Sequence, residues 1–66
     1  MAHAAKPVLI KQYDGTRLYD TEAGRYTTLE TIADLIRDRR AVIVHDAKTG
    51  EDMTAATLAQ IIVDAA

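Results

Sequence analysis

An α+β fold is predicted by three features of the sequence. The first 28 residues hold short, β-prone runs separated by glycine-containing turns. A run with helical apolar spacing follows. The segment "AVIVHD", the strongest strand signal in the chain, then precedes a second helical run. The expected architecture is a small N-terminal antiparallel β-meander, a helix, a β-hairpin and a C-terminal helix.

Each element has a local reason. "VLIKQY" follows Pro7 and is rich in branched apolar residues; alternation puts Val8 and Ile10 on one face and Leu9, Lys11 and Tyr13 on the other. Asp14-Gly15 is a turn pair, because glycine takes positive φ without a steric penalty. "TRLY" returns as a second strand, "DTEAG" turns again with Gly24 as the positive-φ residue, and "RYTT" is the third strand. Thr28 suits the N-cap of a helix over 29–39, with Leu29, Ile32, Leu35 and Ile36 on one face. Glu30 in its first turn and Arg37, Arg39 and Arg40 at its end agree with the helix dipole.

"AVIVHD" is apolar on both faces, which predicts a central strand covered on both sides. "AKTG" turns the chain, "EDM" is expected to pair back as a short strand, and Thr54 is the expected cap of the last helix. That helix aligns Leu58, Ile61 and Ile62 on one face, and it has no stop signal. Continuation into a longer protein and pairing with a second copy both fit such an end.

The chain of 66 residues is at most one domain, expected over residues 8–66 after a disordered tail at 1–7. It has no cysteine, hence no disulfide. Domains this small and unstapled often gain stability by assembly, so a homodimer or higher homo-oligomer is expected. The start, "MAHAAKPV", lacks an apolar stretch of signal-peptide length, and no run is long enough to span a bilayer. The expected location is cytoplasmic.

Net charge is −2, which argues against a strongly basic nucleic-acid binder, but the charge is unevenly spread. Lys6, Lys11, Arg17 and Arg25 outnumber Asp14, Asp20 and Glu22 in the first 26 residues, whereas acids dominate the remainder. Catalytic chemistry has little to stand on. His45 and Asp46 are strand neighbours pointing to opposite faces, so they cannot form a local dyad, and a lone strand histidine reads as structural. No metal-ligand spacing, phosphate loop or cofactor motif is present. "RDRR" reads first as a solvated helix end. "DAKTGEDMT" reads first as a turn built on Asp46, Thr49, Gly50 and Asp52, with Lys48 able to project from its tip. The aromatics are Tyr13, Tyr19 and Tyr26, all in the meander; they suit a core or half-core role, or phosphate contacts through their hydroxyls beside Lys11, Arg17 and Arg25.

The ordered series "IKQYDGTRLYDT", "YTTLETIADLI", "VHDAKTGEDMT" and "LAQIIVDAA" resembles the N-terminal domain of the polyhydroxyalkanoate synthesis repressor family, over about residues 8 to 66. The resemblance implies a bacterial repressor that binds DNA near storage-granule genes and is titrated away by the polyester. On that basis the expected DNA contacts are Lys11, Tyr13, Arg17, Tyr19 and Arg25, with Lys48 as an addition. Leu58, Ile61 and Ile62 are the expected oligomerisation residues, and the polyester is expected to meet regions outside this chain. The family pattern is more basic around the first turn: Gln12 and Thr16 stand at positions that usually carry a charge, and Asp14-Gly15 replaces a neutral turn. The loss of these charges keeps open a different class of function, an oligomerisation or granule-docking module without sequence-specific DNA binding.

Overall fold

The computed structural model describes residues 6–14 and 17–65. Strands β1 (Val8–Tyr13), β2 (Arg17–Asp20) and β3 (Arg25–Thr27) precede helix α1 (Leu29–Arg37), strand β4 (Val42–Asp46) and helix α2 (Thr54–Ala65). The expected α+β class and the order of its elements are observed. Residues 1–5, most of the expected tail, and Gly15 with Thr16 lie outside the described residues.

The four strands form one sheet in the order β3-β2-β1-β4. β1–β2 and β2–β3 pair antiparallel, as a meander must, whereas β4 joins β1 in parallel, opposite Val8 to Gln12. β4 is therefore an edge strand, not the central strand its composition predicted. Its apolar residues divide between two faces for a different reason: Val44 is fully buried beneath the helices, while Ile43 sits on the other face beside Leu9.

The outer edge of β4 is partly sealed by the segment that follows. Asp46 N–H donates to the Glu51 carbonyl (2.8 Å), and Met53 N–H donates to the Val44 carbonyl (2.7 Å). Val44 N–H donates to Thr54 Oγ1 (2.9 Å). These bonds satisfy backbone groups that an open edge would expose to a foreign strand. The expected hairpin shrinks accordingly to a single antiparallel bridge, His45 with Asp52. Thr54 does not cap α2. It is the first helical residue, and its hydroxyl is committed to β4. The capping acceptor is Asp52, whose Oδ1 receives the Thr54 N–H at 2.8 Å.

One turn design occurs twice. Asp20 Oδ1 accepts N–H bonds from Glu22 and Ala23, and Asp46 Oδ1 accepts them from Lys48 and Thr49. Each turn closes with a glycine, Gly24 or Gly50, whose N–H donates to the aspartate carbonyl at 2.8 Å. Their φ values of 72° and 77° explain the glycines. In the first turn of the meander Asp14 itself takes φ 54°.

Both helices cover the same sheet face. Val8, Ile10, Leu18, Ile32 and Val44 form the buried core, with Leu29, Leu35, Val42, Met53 and Ile61 packed around it. α1 begins as expected: Thr28 Oγ1 accepts the Thr31 N–H at 3.1 Å. It ends two residues earlier than its apolar spacing predicted, because Asp38 caps it and Arg39 turns left-handed at φ 65°. Arg39 N–H then reaches the Ile36 carbonyl, and Arg40 N–H reaches the Leu35 carbonyl. This closure normally employs glycine, since a left-handed non-glycine residue costs roughly 1–2 kcal/mol.

Arg39→Gly is therefore expected to stabilise the fold by about 0.5–1 kcal/mol, the relief of strain less the extra chain entropy of glycine; urea denaturation of both chains measures it. A second expectation concerns acid. The Thr54 backbone N–H bond, then the Thr54 hydroxyl bond, holds the Asp52 carboxyl below its ordinary pKa. A depressed folded pKa contributes stability that is complete above the unfolded pKa and is lost as pH falls through the folded one. Thermal melts of wild type and Asp52→Asn at pH 7 and pH 3 should show the wild type losing more on acidification.

Candidate nucleic-acid interface

The sheet face opposite the helices has no helix over it among the described residues. Register determines what stands on it. Lys11 is opposite Tyr19, Tyr19 is opposite Tyr26, and Tyr13 is opposite Arg17. On the other side Lys11 is opposite His45, which bridges to Asp52. Paired residues share a face, so a row runs across the whole sheet: Tyr26, Tyr19, Lys11, His45, Asp52. Tyr13 and Arg17 form a second, shorter row beside it, and Leu9 and Ile43 a third.

None of the tyrosines is in the buried core; Tyr19 is half-buried, as the half-core reading allowed, and the other two are exposed. Tyr26 is 57% exposed and Tyr13 is 36% exposed. They form an edge-to-face cluster with Tyr26 at its centre, 5.3 Å from Tyr19 and 6.5 Å from Tyr13 between centroids. The Arg17 guanidinium lies 5.9 Å from the Tyr26 centroid, within cation–π range. The cluster limits ring motion, so the hydroxyls and the guanidinium are presented with less freedom to lose on binding.

Arg17 also makes an ion pair with Asp14 at 3.4 Å. Both side chains are well exposed, and such pairs contribute about 0–1 kcal/mol, so a phosphate can compete for this arginine. Lys11 is exposed in the middle of the face. Lys48 is exposed in the turn after β4, at the same end of the sheet as Tyr13 and Arg17, because β1 and β4 run parallel.

Of the expected DNA contacts, the fold thus gathers Lys11, Tyr13, Arg17 and Tyr19 on one face, with Lys48 at its end. Arg25 does not join them. It stands opposite Asp20, on the helix-bearing face and at the far end of the sheet. Period-two alternation along β3 gives the reason: if Tyr26 faces out, Arg25 must face the other way. Tyr26, which the sequence left between a core and a phosphate-contact role, stands on the face, and His45 is its unexpected member. Alternation from the buried Val44 pointed to His45, but only the cross-strand pairing puts it beside Lys11.

The expected oligomerisation residues lie apart from this face. Ile61 packs against the chain's own core, while Ile62 is 70% exposed and its neighbour Val63 is 67% exposed. Leu58, Ile61 and Ile62 line a groove of about 470 Å³ with Ile36, Arg40 and Val42. Arg40 is held there by Glu22 at 2.8 Å. No group of three or more potential metal ligands exists among the described residues, and no helix is long and apolar enough to cross a membrane.

Fold and face define a small two-layer α+β domain whose open sheet surface carries Tyr13, Tyr19 and Tyr26 together with Lys11, Arg17 and His45. Residues 9–66 match the model of the PHB/PHA accumulation regulator DNA-binding domain, and the chain belongs to that family. It is accordingly a DNA-binding regulator domain and not a member of an enzyme family. A protein of Thiocystis violacea, described as an uncharacterized protein in the phbA 5′ region, is 39% identical over 56 residues, covering 85% of this chain and 41% of the relative. An uncharacterized protein of Allochromatium vinosum shows the same identity over 56 residues, covering 85% of this chain and 37% of the relative. The chain spans about two fifths of the length of these curated relatives. No solved structure matches it.

Proposed function

We propose that this domain represses genes of polyester-granule metabolism by docking its open sheet face on duplex DNA. The observation that carries the proposal is the convergence of Lys11, Arg17, Tyr13, Tyr19 and Tyr26 on one uncovered face of a domain from a DNA-binding family. Lys11, Arg17 and Lys48 neutralise phosphates. The tyrosine hydroxyls donate to phosphate oxygens and fix the register of the sheet on the duplex. The position of the Thiocystis relative beside phbA supports a regulatory role in the same metabolism. The polyester itself is met by regions outside these residues, and the protein works in the cytoplasm, where its DNA is.

Three cations per copy neutralise few phosphates. At about 0.9 per phosphate, the slope of log affinity against log salt would be roughly 3 in magnitude, against about 5–9 for a protein making 6–10 phosphate contacts. Two copies on one operator would double it. The apolar groove that Leu58 and Ile62 line supports such an assembly, through these two residues more than Ile61, which the core already occupies. The same surface is what a purely assembling or granule-docking module would use, so the two readings divide on DNA.

Fluorescence anisotropy with the DNA upstream of the chain's own gene, against scrambled DNA at two salt concentrations, separates them. Specific, salt-dependent binding supports the repressor; equal, negligible binding to both supports the docking module. Arg17→Ala is expected to weaken operator binding and lower the salt slope by about 1. Equal binding by the variant at low salt would remove Arg17 from the site. In sedimentation, wild type should be dimeric or larger at high micromolar concentration and Ile62→Glu monomeric; a monomeric wild type would end the assembly proposal.

A further inference from the structure

His45 occupies the centre of the row that crosses the open face. It is half-buried, with Lys11 on the neighbouring strand to one side and Asp52 bridged to it on the other. Neighbouring strands stand about 4.8 Å apart, so one phosphate held by Lys11 lies within reach of the imidazole as well. Asp52 is not free to swing away, because its carboxylate is bound by the Thr54 N–H at 2.8 Å. His45 therefore has a fixed anion on one side and, when DNA is bound, a second anion above Lys11 on the other.

Tyr13 follows Lys11 on the same face of β1. Asp46 points to the helix-bearing side, where its carboxylate accepts the N–H groups of Lys48 and Thr49. Glu51 and Lys48 are exposed in the turn beyond β4. With DNA, two anions favour the imidazolium against one cation.

The geometry points to His45 as a further phosphate contact of this face, one that takes up a proton as DNA binds and so makes affinity rise as pH falls through neutrality. The inference rests on the DNA-binding reading above. It requires no particular operator, since phosphate contacts are independent of sequence.

The test is an anisotropy titration of the full chain with a fluorescein-labelled duplex of mixed sequence, at pH 6 and pH 8 and at two salt concentrations. Wild type should bind about fivefold more tightly at pH 6, with its salt slope larger by about 0.9. His3→Gln, which removes the other histidine, should keep this gain. His45→Gln should lose it, and His45→Lys, a fixed cation, should bind tightly at both pH values. An equal pH gain in His45→Gln, or none in wild type, overturns the inference while leaving the DNA reading intact. No duplex binding by wild type at either pH overturns both.

Discussion

The alternation along β1 is the constraint on which the rest depends. Val8 and Ile10 are completely buried, and between and beyond them Leu9, Lys11 and Tyr13 turn to the opposite face. One strand thus supplies the centre of the core and the centre of the candidate interface. A slip of one residue would exchange the two sets and leave Lys11 under the helices. Pairing on both sides of β1, antiparallel with β2 and parallel with β4, prevents that slip. The core is small, and a chain of this length has little apolar burial to spare. Both helices are spent on one face, which is why the other stays open.

An open sheet face exposes apolar rings and stems to water, which a domain of marginal stability retains only at some cost. The tyrosine cluster lessens that cost by packing ring edges against ring faces. Charge on the face is modest. Lys11 and Arg17 are the full cations, Asp14 partly offsets Arg17, and Asp52 closes the far end of the row. In the proposed mode of DNA binding, so few charges would make affinity depend strongly on how many copies engage one duplex, and the apolar groove on the other side of the domain is the surface proposed to join them.

Much of the fold was legible because its determinants are local. The two Asp-to-Gly turns, the Thr28 cap and the apolar spacing of α1 involve partners within a few residues of one another. The same local logic misjudged Thr54. Its hydroxyl could serve the helix start or the edge of β4, and the strand ten residues away won. It also misjudged "AVIVHD", since an apolar segment with both faces occupied looks the same at a sheet centre as at an edge sealed by its own continuation.

The sequence by itself determined the elements, their turns and the family, through φ preferences, capping and hydrophobic period. Only the tertiary structure decided the strand order and the membership of the open face. The parallel pairing of β1 with β4 joins residues more than thirty positions apart, and a period-two pattern says which residues share a side of one strand but not which strand lies beside it. That pairing brought His45 to Lys11, the meander's register gathered the three tyrosines, and alternation along β3 sent Arg25 to the other side.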